Sequence, residues 1–329
     1  MGRPLSKRGD RQDTGELPEI PVRFFEAPPQ PVSAPEYPGR EPQPARKKRH
    51  VLRNLIIIIL ILVLVPAAAF IALGERPGGP ASSRGSVTIL LAGVDGDGTR
   101  TDTIMLVSAD TAGRGITFLS IPRDTYVSAP YSVPKINSAY GWAGGGEKGM
   151  EELCDRIEEV VGFRPDGYAL VNLRAFADIV DAMGGVYFDV PQDMYYEDPY
   201  QDLTIALKAG FRLLDGEDAL GLVRFRSGYA MADLRRVEVQ RDFMKAALKQ
   251  WSSPKNLLRL PRLISIIKRD VLTDLSPRNI LWLLRLPLLL DVESAGNYTL
   301  PGMPKTINGG SYFVVDAAKT SELTGRYFS

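Results

Sequence analysis

Apolar, β-branched runs at 87–91, 103–107 and 116–121 read as strands of one sheet. From residue 147 the period lengthens. Met150, Leu153, Cys154, Ile157, Val160 and Val161 recur at helical spacing, which predicts an amphipathic helix over 147–161. A strand at 167–171 follows, then a helix over 173–183 with Phe176, Ile179, Val180 and Met183 inward. Gly184 and Gly185 end that helix, and a strand occupies 186–190. Strand and helix patterns alternate, so the domain is α/β. Asp215 caps a short helix at 217–222. Residues 223–226, Val-Arg-Phe-Arg, read as a strand with Arg224 and Arg226 on one face and Val223 and Phe225 on the other. Asp233 opens a helix to about residue 250, and within it Arg236 and Gln240 share a face.

Residues 253–291 are helical and very apolar, interrupted by Arg259, Arg262 and Arg285 and punctuated by Pro261 and Pro287. Packing on the sheet is the default for these helices; a membrane surface or a greasy groove are the other places that suit them. A strand at 312–315 and a helix at 317–323 close the domain.

One apolar run is different in kind. Residues 54–73 carry no charge over about twenty positions, enough to cross a bilayer as a helix. Arg46, Lys47, Lys48, Arg49 and Arg53 stand before it, so the N-terminus is expected inside and everything after Leu73 outside the cell membrane. The run is too long and too far along the chain for a cleaved signal peptide. The expected organisation is a disordered Pro-rich cytoplasmic tail with a basic flank at 1–53, a transmembrane helix at 54–73, a flexible linker at 74–85 and an extracytoplasmic domain at 86–329.

A formal net charge of +1 argues against a general nucleic-acid binder. The single cysteine, Cys154, excludes a disulfide within the chain and any cysteine-based zinc cluster. The only histidine, His50, lies in the basic flank, so the outer domain has none. That removes Ser-His-Asp and Cys-His catalysis and histidine-based zinc sites. Carboxylates, arginines, hydroxyls and a hard metal ion remain. Asp95 and Asp102 are oxygen donors of the kind that Mg²⁺ or Mn²⁺ takes alongside substrate phosphates. Arg100, Arg123, Arg224, Arg226 and Arg236 offer planar forks that grip phosphate oxygens in pairs. Convergence of such groups is what phosphoryl transfer requires. Asp124, beside Arg123, either caps a turn or belongs to the site. Gly144, Gly146 and Gly149 spell G-x-G-x-x-G, but no strand precedes them, and a dinucleotide site is rejected.

These residues lie in stretches that resemble the LytR-CpsA-Psr proteins, membrane-anchored transferases of bacterial cell-envelope glycopolymers. The stretches are LLAGVD, RTDTIMLVS, FLSIPRDTYV, KINSAY, the strand-helix segment at 175–190, LLDGEDAL, VRFR and DLRRVEVQRDF, in order over 87–251. The resemblance implies a three-layer α/β/α domain with a central mixed sheet and a hydrophobic tunnel for a polyprenyl chain. It implies transfer of a glycopolymer from a polyprenyl-pyrophosphate carrier to peptidoglycan. By motif position, Asp95 and Asp102 hold Mg²⁺, while Arg100, Arg123, Arg224, Arg226, Arg236 and Gln240 bind the pyrophosphate. Arg123 is also expected in catalysis, together with Asp233. For Asp233 three roles stay open: orienting an arginine, deprotonating the acceptor, or capping a helix. A hydrolase of the lipid pyrophosphate and a non-catalytic binder of lipid-linked glycans are the alternatives.

Overall fold

The computed structural model describes residues 72–78, 85–94, 98–110, 112, 115–198, 203–225 and 232–328. The tail at 1–53, the apolar run up to residue 71, Asp95 and Arg226 lie outside these residues. Among the described residues no helix is long and apolar enough to cross a membrane.

The elements follow in order: β1 (Ser86–Val94), β2 (Thr101–Asp110), β3 (Gly115–Ser120), α1 (Gly146–Val161), β4 (Gly167–Val171), α2 (Leu173–Met183), β5 (Val186–Val190), β6 (Met194–Asp198), β7 (Leu203–Leu207) and β8 (Gly210–Leu214). Then come α3 (Gly216–Arg224), α4 (Ala232–Trp251), α5 (Leu260–Asp270), β9 (Val271–Thr273), α6 (Pro277–Leu289), β10 (Gly296–Thr299), β11 (Gly302–Ile307), β12 (Gly310–Val315) and α7 (Ala317–Tyr327).

Six strands form one sheet in the order β10-β3-β2-β1-β4-β9. It is mixed, because β4 runs parallel to β1 and β10 parallel to β3 while the other pairs are antiparallel. Central strands of such a sheet are covered on both faces, which is why β1 is almost continuously apolar. Leu90, Leu106 and Leu119 point to one face and meet Met150, Leu153, Cys154 and Ile157 of α1, with Phe328 just after α7. Ile89 and Val87 point to the other face and meet Trp282 and Leu286 of α6. Met105 and Phe118 share that second face with partly buried Met244 and Leu248 of α4. Helices therefore cover both faces of the sheet. Cys154 is a packing residue: burial pushes its thiol up to about 12, away from reactive thiolate character.

A further core joins α2, β5, β7, β8, α3, α4 and α5, with Phe188, Ile205, Leu214, Leu222, Phe243, Trp251 and Leu263 buried in it. Strand β5 stands where the sequence placed one, at 186–190, but its partner β8 and the hairpin β6–β7 were not read from the sequence. Both pairs are half-exposed: in β5 buried Val186, Phe188 and Val190 alternate with exposed Tyr187 and Asp189, whereas in β6 only Met194 is buried.

Two expectations about local structure change. The described part of this stretch, residues 223–225, is not a strand: Val223 and Arg224 are the last residues of α3, and Phe225 follows as its cap. Asp215 caps that helix through the Asp218 N–H, and Ala219, Leu222 and Phe225 are buried at a spacing of three, so the helical period prevails over the apparent alternation. The same-face argument for Arg224 and Arg226 on a strand therefore falls. Part of the stretch read as a linker is also fastened. The Glu75 N–H donates to Arg278 O at 3.0 Å, and Asn279 Nδ2 donates to Glu75 O at 2.9 Å. Gly74 lies so close to Trp282 that a Cβ would sit 3.0 Å from its Cα.

The glycine-rich turn has a packing role. Gly144, Gly145 and Gly146 all adopt positive φ on the way into α1, and a Cβ on Gly149 would meet the Tyr140 ring at 2.6 Å.

Candidate active site

Strand β1 ends beside a β-bulge. Gly93 pairs with Thr103, but the next residue, Val94, pairs with Thr101, so Asp102 is the extra residue of β2. Simple alternation would put Asp102 on the face of Ile104 and Leu106, both buried beneath α1. The bulge instead re-aims its carboxylate, and Arg123 Nη1 donates to Asp102 Oδ1 at 2.6 Å.

Arg123 sits in the turn that leaves β3. Ile121 N–H still pairs with Ile104 O, and then Thr125 N–H closes a turn onto Pro122 O at 3.0 Å. Asn137 N–H donates to Arg123 O at 3.2 Å, so the KINSAY stretch holds the arginine's backbone. In the same stretch Lys135 Nζ donates to Asp124 Oδ1 at 2.8 Å. Asp124 is thus half of an ion pair at the site, and turn capping does not account for its carboxylate. Arg100 precedes β2 and follows Thr99, whose carbonyl oxygen lies 2.3 Å from where a Cβ on Gly141 would stand. Any side chain at 141 would displace the Arg100 turn.

Helix α4 brings the next group. Arg236 is buried, with 4% of its surface exposed. One turn on, Gln240 Nε2 donates to Val223 O at 3.1 Å, and Thr103 Oγ1 reaches Gln240 Oε1 at 3.5 Å. Gln240 thereby ties the end of α3, and with it Arg224, to both α4 and β2. Asp233 is the second residue of α4, inside the helix and not at a flanking cap position. Its side chain, like Asp95 and Arg226, is outside the described residues.

All of these described groups face one cavity of about 1070 Å³. Arg100, Asp102, Arg123, Asp124, Lys135, Asn137, Arg224, Arg236 and Gln240 line one part of it. The remainder is mostly apolar, with Phe176, Phe243, Trp251, Leu263, Ile267 and Leu284 among its walls. Helix α4 runs along it: from Arg236 to Trp251 is about 22 Å at 1.5 Å per residue. The stretch at 253–291 is not helical throughout, since β9 interrupts it at 271–273 and joins the sheet beside β4, but its helices both pack and line the groove. Trp282 and Leu286 are buried against the sheet, whereas Leu283, Leu284 and Pro287 of α6 border the cavity.

Lys135, Asn137 and Asn172 are lining residues to which sequence reasoning gave no role. Lys135 and Asn137 had a signal, since both fall in the quoted KINSAY stretch. Asn172 had none beyond its helix-capping type; its Oδ1 accepts from Ala175 N–H at 2.8 Å.

Comparison with known proteins extends the resemblance. The model of the LytR_cpsA_psr family matches residues 72–328, well past the stretch at 87–251 where motifs are legible. Among curated relatives, the probable cell wall biosynthesis protein LcpB of Corynebacterium glutamicum is 41% identical over 52% of this chain and 39% of its own length. The regulatory protein MsrR of Staphylococcus aureus is 31% identical over 60% of this chain and 59% of its own. The chain thus spans less than two thirds of either. It covers more of the polyisoprenyl-teichoic acid–peptidoglycan teichoic acid transferase TagU of Oceanobacillus iheyensis, 31% identical over 73% of this chain and 76% of that protein. Among solved structures, TagV of B. subtilis superposes with a TM-score of 0.62 at 25% identity, over 73% of this chain and 95% of TagV. A structure of TagT bound to LIIa-WTA gives 0.58 at 25% identity, over 77% and 91%. With its mixed sheet, its arginine-lined cavity and a family match over nearly the whole described domain, this chain belongs to the LytR_cpsA_psr family.

Proposed function

We propose that this chain transfers a glycopolymer from a polyprenyl-pyrophosphate carrier to peptidoglycan, through a phosphodiester bond, at the outer face of the cytoplasmic membrane. The observation that carries the reading is the two-part cavity. A long apolar groove suits a polyprenyl chain, and arginines at one end suit the pyrophosphate to which that chain is joined. The names of TagU and of the TagT complex support a lipid-linked glycopolymer as the class of substrate.

In this reading the lipid tail lies along α4 and the pyrophosphate rests against Arg100, Arg123, Arg224 and Arg236. Arg226 is assigned there by sequence. An acceptor hydroxyl on peptidoglycan attacks the phosphorus that bears the glycopolymer sugar. The bond from that phosphorus to the bridging oxygen breaks, and polyprenyl phosphate leaves. Asp233 is assigned the hydroxyl's proton. Negative charge spread over the phosphoryl oxygens is met by guanidinium groups already in place, so positioning and electrostatics supply the catalysis. Asp102 keeps Arg123 aimed, and Gln240 keeps Arg224 aimed.

The residues present fit a hard divalent ion of the Mg²⁺ or Mn²⁺ type. The described residues contain no cluster of three or more His, Cys, Asp or Glu side chains able to form a cage. Mg²⁺ does not need one, since one or two carboxylates suffice when substrate phosphates provide the other oxygens. Asp102 lines the cavity, and Val94, also a lining residue, is the last described position before Asp95. These two carboxylates would hold the ion, which would neutralise phosphate charge.

Mixing the full chain in detergent with a lipid-linked glycan and a peptidoglycan oligomer tests the reading. Coupled release of lipid phosphate and formation of a phosphodiester-linked glycan supports it. Release with water as the only acceptor supports the hydrolase instead.

A further inference from the structure

Beside the arginine end of the cavity the structure forms an aromatic corner. After the Arg123 turn, Tyr126 N–H donates to Phe313 O at 2.8 Å and Phe313 N–H donates to Asp124 O at 2.9 Å. Strand β12 is thereby fastened to the residues that follow Arg123. Tyr126 also bridges to Lys135 on its other side. The result sets the rings of Tyr126 and Tyr312 at 87°, with centroids 5.6 Å apart. The Lys135 ammonium lies 5.6 Å from the Tyr312 ring centre while its Nζ is bound to Asp124. Tyr126 keeps 37% of its surface exposed and Val133 keeps 40%. Val133, Lys135 and Asp124 also line the cavity, so corner and cavity are continuous.

We propose that this corner is a subsite for a sugar ring of a glycan strand entering the reaction. The proposal rests on the transferase reading above and adds a place for the carbohydrate. A pyranose has an apolar C–H face and a hydroxyl edge. Half-exposed tyrosines supply an apolar face and a polar tip at little conformational cost. The adjacent Lys135–Asp124 pair supplies a donor and an acceptor for the hydroxyls. Position agrees with chemistry. In a near in-line displacement the acceptor approaches from the side opposite the leaving group. The leaving lipid phosphate is drawn towards the apolar groove along α4, so the glycan belongs at the arginine end, where Asp124 and Lys135 stand. Donor and acceptor both present sugars at that end, and the test separates them.

Binding is measured on the full chain in detergent with two probes: an uncross-linked peptidoglycan glycan oligomer, and the free glycan cleaved from the donor lipid. The variants are Tyr312→Ala, Tyr126→Ala and, to keep the ring and the fold, Tyr312→Phe. Loss of one aromatic face is expected to weaken one of the probes by about threefold to tenfold, with Tyr312→Phe close to wild type. Loss confined to the oligomer assigns the corner to the acceptor; loss confined to the donor glycan assigns it to the donor. Unchanged binding of both probes in folded Tyr312→Ala and Tyr126→Ala overturns the subsite, even where transfer itself is intact. Ring-dependent glycan binding without any lipid phosphate release sinks the transferase reading and leaves the subsite standing.

Discussion

Asp102 is the extra residue of a β-bulge, and its carboxylate meets the guanidinium of Arg123 with Nη1 and Oδ1 2.6 Å apart. Each side chain is 28% exposed, so solvent screening limits the pair's worth to stability to about 1 kcal/mol or less. Its value lies in aim. Arg123→Ala is therefore expected to lower transfer by about 10³-fold or more while the melting temperature changes little. Arg123→Lys should not rescue it, because an ammonium lacks the planar fork. Turnover and thermal melts on the same preparations check this, and near-normal turnover in folded Arg123→Ala removes the residue from the mechanism.

Gln240 acts at one remove. Its amide holds the Val223 carbonyl at the end of α3, next to Arg224. Gln240→Leu strands that carbonyl and frees the helix end, which should weaken lipid-pyrophosphate binding by about tenfold. A binding titration with a short-chain polyprenyl pyrophosphate reads the effect. Wild-type affinity would show that α3 needs no such tie.

The apolar groove is tested by filling it. Ala247 is a small lining residue on α4, beyond Arg236 and short of Trp251. Ala247→Trp should abolish turnover of long polyprenyl donors and spare donors whose chain is too short to pass it, with a stability cost of about 1–3 kcal/mol from overpacking. A chain-length series gives the answer. Equal loss, or equal retention, at all lengths would mean that the tail lies elsewhere.

Asp274 predicts a pH dependence of stability. Desolvation holds its carboxyl above the ordinary carboxylate value, opposed by the Tyr168 N–H that it accepts at 2.7 Å. The folded state then binds the proton more tightly than the unfolded chain. Stability from this group is full below the unfolded pKa, near pH 4, and falls as pH rises from there through the raised value. Asp274→Asn keeps the acceptor oxygen and removes the titration. Its melting temperature should decline less than that of wild type as pH rises above about 4. Parallel curves would contradict the assignment.

Much of the frame was legible because its periods are clean. The strand at 167–171 and the helix at 173–183 match β4 and α2 to the residue, since Asn172 caps one end and glycines at φ near 80° close the other. The gathering of Arg100, Arg123, Arg224 and Arg236 could be argued from residue type and motif, but the device that aims Asp102 could not. A bulge is a register shift between two strands, and a single strand's sequence carries no trace of it. Residues 223–226 misled because two apolar and two charged residues in alternation fit a strand and the end of a helix equally well over so short a span. The hairpin β6–β7 and strand β11, the partner of the strand read at 312–315, escaped for a related reason: their outward positions are mixed, and what holds them is attachment to α3 and, through β12, to the Arg123 turn.

In the proposed mechanism one cavity holds a lipid pyrophosphate by its arginines and passes the glycan-bearing phosphoryl group to a sugar hydroxyl. Mass spectrometry of both products from a single reaction tests it most directly, using the full chain, a lipid-linked glycan and a peptidoglycan oligomer. One polyprenyl monophosphate is expected for each oligomer that gains glycan plus a bridging phosphate. Polyprenyl pyrophosphate among the products, or an oligomer that gains glycan without phosphate, would contradict it.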